Sequence, residues 1–152
     1  PEIALRVNAD GVHLGKKDIS LTEARKNLKG KKMIIGGSAN TTEDILQLAM
    51  QEVDYMGLGP LRFTSTKKDL NPVLGIETYK KIIQEVRRSS LIIPPVYAIG
   101  GIHPNDVESL ISIGLSGVAV SSAISQSRNM NHAVQEFFSA LGEKELTDEI
   151  NR

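Results

Sequence analysis

The sequence predicts an α/β fold built around a parallel β-sheet, and three observations lead to that class. Five short apolar runs, rich in valine, isoleucine and glycine, alternate with longer segments in which apolar residues recur at helical spacing. Each run is too short for a helix and is bounded by glycine or polar residues, as buried parallel strands are. The 152 residues, 40% of them hydrophobic, supply enough apolar side chains for the core of one domain.

The predicted strands and helices alternate along the chain, which is the pattern of right-handed βαβ units. The strands are expected at residues 9–14, 33–37, 55–59, 96–100 and 117–121. The helices are expected to begin near residues 20 and 40, and then to cover 76–88, 104–113 and 130–141.

Helix-capping residues support these positions. Ser20 and Glu23 have the spacing of a capping box, in which a hydroxyl and a carboxylate each accept a hydrogen bond from the other residue's backbone amide. His103 precedes Pro104, a residue favoured in the first turn of a helix, and Gly114 stands where that helix would end. Local sequence therefore predicts where these helices begin and end.

Two α/β architectures accommodate five strand–helix units, namely an open doubly wound sheet and a (β/α)₈ barrel. Polar residues and glycines cluster after the carboxyl end of each predicted strand, where a barrel enzyme carries its functional groups. We therefore predict a barrel, although a complete one needs about 200 residues and five units cannot close it. The expected domain is a partial barrel over 1–141, without its first three strands, followed by a charged tail over 142–152.

Composition excludes several classes of function. Eighteen basic residues balance eighteen acidic ones, so we expect neither nucleic acid nor an anionic membrane as a partner. Cysteine is absent, which excludes disulfides, thiolate nucleophiles and cysteine-based zinc sites. No apolar run approaches the roughly 18 residues of a membrane span, and the first residues show no signal-peptide pattern. A chain without cysteine is compatible with a reducing compartment, so the expected localisation is cytoplasmic, and the sequence leaves a homo-oligomer open.

The strongest local signal follows the last two predicted strands. Gly100 and Gly101 come after one strand, and Ser121 and Ser122 come after the next, at the start of a short helix. In barrels the loops after strands seven and eight often bind a phosphate group through backbone amides, and glycine lets the anion approach the backbone. The sequence therefore predicts a phosphate site, the alternative being a tight turn and a helix cap without a ligand.

A long loop over residues 59–69 contains a second candidate. Thr64, Ser65 and Thr66 directly precede Lys67 and Lys68, so three hydroxyl groups stand next to two ammonium groups. Long loops in compact domains are usually functional or mobile. The pattern predicts an anion-binding surface, and a solvated polar loop is the alternative.

Asp18 is the candidate metal ligand. It follows the first predicted strand on the expected catalytic face, where a carboxylate can bind a hard cation such as Mg²⁺. The alternative is that Asp18 complements the dipole of the helix that begins nearby. Asp54 precedes its strand and is expected on the opposite face, and His13 is expected in the wall of the fold rather than as a ligand.

Five motifs occur in the order in which thiamine-phosphate synthases carry them, and the sequence resembles that family to about residue 141. The motifs are ADGVHLG (9–15), DYMGLGP (54–60), TSTK (64–67), AIGGI (98–102) and GVAVSSAI (117–124). The resemblance implies a (β/α)₈ barrel that joins a pyrimidine to a thiazole. The implied substrates are hydroxymethylpyrimidine pyrophosphate and a thiazole phosphate, either carboxylated or plain. The implied products are thiamine phosphate and pyrophosphate, with carbon dioxide from the carboxylated thiazole.

The resemblance also implies roles for individual residues. Asp18 resembles one of two magnesium-binding aspartates, so Mg²⁺ is the expected cofactor. Ser38 resembles a residue that contacts the pyrimidine pyrophosphate, and Lys67 resembles the lysine that binds the same group, which makes both candidate catalytic residues. Thr64, Ser65 and Thr66 match the segment that holds the thiazole phosphate substrate. The residues that match the binding site for its phosphate group are Gly101, Ser121 and Ser122.

Two family motifs do not occur in this sequence. They are a Gln-x-Arg-x-Lys segment after strand two and an Asn-Asp pair after strand three, which would supply pyrophosphate-binding cations and the second magnesium carboxylate. The first residues resemble the helix before strand four, so we expect those strands upstream, a decayed paralogue being the alternative. Two rival functions are a thiazole tautomerase, whose relatives generally lack the Thr-x-Thr-Lys pattern, and a non-catalytic phosphate-binding barrel fragment.

Overall fold

The computed structural model describes residues 2–28, 32–64 and 72–142. Within them, five strands form one parallel sheet: β1 (Gly11–Leu14), β2 (Ile34–Ala39), β3 (Tyr55–Leu58), β4 (Val96–Ile99) and β5 (Gly117–Ala119). The helices are α1 (Glu2–Arg6), α2 (Leu21–Asn27), α3 (Thr42–Met50), α4 (Gly75–Arg87), α5 (Val107–Ile113), α6 (Ser122–Ser125) and α7 (Met130–Ala140). The predicted α/β class is confirmed.

The strands lie in the sheet in the same order in which they follow one another along the chain. Every neighbouring pair is parallel, from Gly11 opposite Ile34 to Ile99 opposite Ala119. A doubly wound sheet reverses its strand order at one point, and these five strands show no such reversal. The described sheet is therefore singly wound, with the carboxyl ends of its strands along one edge.

The hydrophobic core lies on one side of the sheet. Successive side chains of a strand point to opposite faces, and Ile35, Met56 and Ala98 are fully buried on the side covered by helices. On the other side, Ile34 is 55% exposed and Ile99 is 39% exposed. That uncovered face is lined by His13, Ile34, Tyr55, Tyr97 and Ile99. The described helices thus cover only one face of the sheet.

Strand boundaries differ from the predicted ones by one or two residues. β2 extends to Ala39, which places Ser38 inside the strand rather than in the loop after it. β5 ends at Ala119, so Ser121 precedes α6 instead of ending the strand. β4 ends before Gly100 because the φ of +85° at that glycine is incompatible with an extended strand.

Helix capping follows the local sequence. The Ser20 hydroxyl accepts a hydrogen bond from an amide in the first turn of α2, and Thr41 and Asp44 form a reciprocal capping box at the start of α3. A turn of 3₁₀-helix, Pro104–Asp106, precedes α5, so the helix predicted from residue 104 begins in a tighter form. Gly114 ends α5 in the left-handed conformation, as predicted. No helix of the described residues has the length and apolar character needed to cross a bilayer.

Candidate functional site

A cavity of about 350 Å³ lies at the edge of the sheet where the strands' carboxyl ends meet. Its walls come from the ends of β2, β3, β4 and β5 and from the loops that follow them. Among its lining residues are five that the sequence analysis singled out for ligand binding: Ser38, Thr64, Gly101, Ser121 and Ser122. Parallel strands in sequential order bring these residues together although they are far apart along the chain.

Ser38 is contacted by a side chain from the neighbouring strand. Its Oγ lies 2.9 Å from Nε2 of His13, and Nδ1 of the same imidazole lies 3.1 Å from the hydroxyl of Tyr55. A Cβ atom at Gly36 would lie 2.6 Å from that Nδ1, so the glycine leaves the space in which the imidazole reaches Tyr55. His13 thus lies in the wall of the fold as expected, but its contact with Ser38 was not predicted.

The turn after β4 packs closely against the loop after β3. Gly100 and Gly101 have φ values of +85° and +68°, in the left-handed region that glycine adopts without strain. A Cβ atom at Gly100 would lie 2.6 Å from Cβ of Pro60, and one at Gly101 would lie 2.8 Å from Cβ of Arg62. Both the backbone conformation and the lack of space therefore require glycine at this turn.

The loop after β3 is tied down at both of its ends. Asn40 is only 6% exposed, and its Nδ2 donates hydrogen bonds to the carbonyls of Gly59 at 2.8 Å and Pro72 at 3.0 Å. Tyr79 of α4 donates its hydroxyl to the carbonyl of Leu58 at 2.5 Å, and burial raises its pKa, so the phenol stays protonated as a donor. The sequence placed residue 40 near the start of a helix and did not predict its burial, because nothing local distinguishes a buried asparagine from a capping one.

Asp18 lies beside the cavity, in a groove of about 240 Å³ that shares Ser38 with it. Its Oδ2 accepts a hydrogen bond from the amide of Gly15 at 2.6 Å. Lys16 of the same loop forms an ion pair with Asp44 at 2.6 Å. Burial alone would raise the pKa of Asp44, but Lys16 and two backbone amides together hold it below its usual value. Asp18 is thus placed on the face that the sequence predicted.

The described residues contain no group of three or more histidine, cysteine, aspartate or glutamate side chains that could hold a metal ion. Magnesium commonly binds only one or two carboxylates and takes its remaining ligands from water and substrate phosphates. Asp18 can supply one such carboxylate, but one carboxylate alone does not make a complete magnesium site. Its role as a metal ligand stays a prediction.

Three predicted binding residues, Ser65, Thr66 and Lys67, lie outside the described residues, as does nearly all of the predicted tail. The structure brings the other substrate-binding candidates together, and their roles remain predictions. Sequence reasoning also missed the ion pair between Arg62 and Asp106, whose guanidinium and carboxylate make two hydrogen bonds. No local pattern links these two residues, because they belong to different strand–helix units.

A family model, curated relatives and one solved structure point to the same family. The family model for thiamine monophosphate synthase matches residues 1–124. A thiamine-phosphate synthase from Flavobacterium psychrophilum is 49% identical over 127 residues, covering 84% of this chain and 61% of that protein, and one from Phocaeicola vulgatus is 45% identical over 128 residues, with the same coverage. The solved structure of a thiamine phosphate pyrophosphorylase from Pyrococcus furiosus superposes with a TM-score of 0.76 at 30% identity, covering 93% of this chain and 63% of that one. The chain spans about three fifths of the length of the curated relatives it matches.

Proposed function

The chain belongs to the thiamine monophosphate synthase family, and from that premise we propose that it forms part of an enzyme that couples hydroxymethylpyrimidine pyrophosphate to a thiazole phosphate. The proposed products are thiamine phosphate and pyrophosphate, with carbon dioxide when the thiazole is carboxylated. The observation that carries this proposal is the cavity of about 350 Å³ that five of the predicted binding residues line together. A cavity of this size suits a small-molecule ligand.

The proposed chemistry needs charge stabilisation rather than a strong base. The bond between carbon and the pyrophosphate oxygen breaks first, and its electron pair leaves with pyrophosphate. The thiazole nitrogen then traps the pyrimidine-stabilised cation and forms the new carbon–nitrogen bond. Because negative charge grows on the departing oxygen, hydrogen-bond donors and cations are needed there, with the two rings held close together.

Each proposed role has a physical basis. Ser38, oriented by its contact with His13, donates to the pyrimidine pyrophosphate, and Lys67 balances the charge of the same group. The amides of Ser122 and Ala123 come before the first backbone hydrogen bonds of α6, which run from Ile124 and Ser125 to the Ser121 carbonyl, and this position suits them to an anion. The residues proposed to bind the thiazole substrate and its phosphate are Thr64, Ser65 and Thr66, together with Gly101, Ser121 and Ser122.

Mg²⁺ is the proposed cofactor, and Asp18 is proposed as one of its ligands. The Asp18 carboxylate lies in the groove that adjoins the cavity at Ser38, which supports this role. When bound, the ion would supply positive charge to the pyrophosphate. The family's Asn-Asp pair after strand three is the proposed source of the second carboxylate.

We also propose that residues 1–141 form the last five-eighths of a (β/α)₈ barrel. The sequential strand order and the covering of one sheet face by helices support this arrangement. In a closed barrel the uncovered face would become the interior, and three further strands would complete the wall around it. The two substrates are the proposed partners in a cytoplasmic setting, and a homo-oligomer remains a prediction.

The proposed function is tested by a coupling assay. We expect the full open reading frame that contains this chain to form thiamine phosphate from the two substrates and to release pyrophosphate. The chain alone is assayed in parallel to learn whether it is active without further strands. Isomerisation of the thiazole without coupling would instead indicate a tautomerase. Binding of thiazole phosphate without either reaction would indicate a non-catalytic protein.

Asp18→Ala and Asp54→Ala are expected to have opposite effects. Oδ2 of Asp54 accepts a hydrogen bond from the amide of Ile35 at 2.7 Å where two strands begin, so its loss should lower the free energy of unfolding by about 1–2 kcal/mol. Asp18→Ala also removes a hydrogen bond, from the amide of Gly15, but this bond is exposed, so water can replace the carboxylate. This variant should therefore raise the Mg²⁺ concentration needed for half-maximal coupling and lower the melting temperature less than Asp54→Ala does. Melting curves and magnesium titrations of both variants check this. A greater loss of turnover per folded molecule in Asp54→Ala would contradict the assignment of the two faces.

A further inference from the structure

A bidentate ion pair joins the loop after β3 to the 3₁₀ turn that precedes α5. Nη1 and Nη2 of Arg62 donate to Oδ2 and Oδ1 of Asp106 at 2.5 and 2.7 Å. The same Nη1 also donates to the carbonyl of Gly101 at 3.1 Å. One guanidinium from the loop after β3 therefore contacts both the glycine turn of the cavity and the residue just before α5.

Asp106 is also fixed by a hydrogen bond within its own turn. Its Oδ2 accepts a hydrogen bond from the amide of His103 at 2.8 Å, across the 3₁₀ turn that precedes α5. The hydrogen bond from Arg62 holds the pKa of Asp106 below its usual value, against the opposing effect of burial. The Asp106 carboxylate is therefore ionised and fixed in position, and it accepts two hydrogen bonds from the Arg62 guanidinium.

Backbone hydrogen bonds also join the loop after β3 to the glycine turn after β4. The amides of Leu61 and Arg62 donate to the carbonyl of Gly100 at 2.9 and 3.1 Å. Gly101 is so close to Arg62 that an added Cβ atom would lie 3.0 Å from the Arg62 carbonyl oxygen. Thr64 follows Arg62 by two residues and lines the same cavity as Gly101. A shift of Arg62 would therefore move one wall of the cavity relative to the other.

We propose that Arg62 and Asp106 form a positioning clamp that sets the separation of Thr64 and Gly101, and thereby the affinity for the phosphorylated thiazole. The identity of that ligand rests on the proposed function, whereas the clamp is a property of the ligand-free protein. The Arg62 side chain is 49% exposed and that of Asp106 is 15% exposed, so solvent reaches the guanidinium and screens the pair, which limits its contribution to stability. A misplacement of about 1 Å in a site can, by contrast, lower activity about 100-fold. The clamp therefore acts on the geometry of the site rather than on the stability of the fold.

The test compares Arg62→Gln with Asp106→Asn, both in the full open reading frame. The side chain introduced by Asp106→Asn keeps an oxygen that can accept the hydrogen bond from the His103 amide. We expect each variant to raise both the KM and the calorimetric Kd for thiazole phosphate about tenfold or more, which is about 1.4 kcal/mol or more. The KM for the pyrimidine pyrophosphate and the melting temperature should change little. Lys80→Gln, which removes an exposed ion pair with Glu77 on α4, is the matched control and should leave both constants unchanged.

Two results would overturn the clamp. If Arg62 bound the phosphate directly, Arg62→Gln would weaken binding and Asp106→Asn would not. An unchanged affinity for thiazole phosphate in both single variants would also overturn the clamp.

Amide hydrogen exchange in the ligand-free protein separates failure of the clamp from failure of the proposed function. Faster exchange at the amides of Leu61 and Arg62 in both single variants would support the clamp even in a protein that does not couple the two substrates. Coupling activity together with unchanged exchange at those amides would overturn the clamp and leave the proposed function intact.

Discussion

Lys67→Ala is expected to lower the single-turnover rate of coupling by a factor on the order of 10²–10³, far more than it lowers the affinity for either substrate. The ammonium group is proposed to balance negative charge that grows on pyrophosphate as the carbon–oxygen bond breaks, so its contribution is larger in the transition state than in the bound substrate. Lys67 lies outside the described residues, and the expectation rests on the TSTK motif and on the chemistry of the leaving group. Lys67→Arg keeps the charge but changes its shape, so it should restore only part of the rate.

The neighbouring Lys68 provides the control for this prediction. Lys68→Ala removes the same charge from the adjacent position, and it should change the rate little if Lys67 alone contacts the pyrophosphate. Both variants are measured in single-turnover coupling at saturating Mg²⁺, with substrate affinities determined separately by calorimetry. Small and equal effects at the two positions would exclude a catalytic role for Lys67.

Gly101→Ala is expected to destabilise the protein and to weaken the binding of thiazole phosphate at the same time. A φ of +68° strains a residue that carries a Cβ by about 1–2 kcal/mol. The new Cβ atom would also lie 2.8 Å from Cβ of Arg62, so the turn and the neighbouring loop must move apart. Because that turn is proposed to approach the phosphate through its backbone, we expect the Kd to rise about tenfold or more, which is about 1.4 kcal/mol or more of binding free energy.

Gly75 separates the effect of backbone strain from the effect of the close contact. Its φ is +66°, almost the same as that of Gly101, but an added Cβ atom there would meet no atom of the described residues within 4 Å. Gly75→Ala should therefore lower the melting temperature through strain alone and leave the Kd for thiazole phosphate unchanged. If Gly101→Ala also bound the ligand as tightly as the unchanged protein, the glycine turn would not belong to the site.

The order and type of the described elements could be predicted because they depend on residues that are close together in the sequence. The apolar run that became β4 and the serine that caps α2 are such local signals. The end of β2 was missed for the opposite reason. Ser38 belongs to the strand because it pairs with Gly57 of β3, and a strand end that depends on a distant partner has no local signature.

The sequence by itself determined the α/β class, the clusters of glycine and hydroxyl residues after the strands, and the motif order that resembles one enzyme family. Only the tertiary structure decided that the described sheet is singly wound and that His13 contacts Ser38. It alone showed Asn40 and Arg62 tying the loop after β3 to its surroundings. Local patterns reflect dihedral preferences and amphipathicity over a few residues. The contacts that shape the cavity instead join side chains from different strand–helix units, and they depend on how the whole sheet packs.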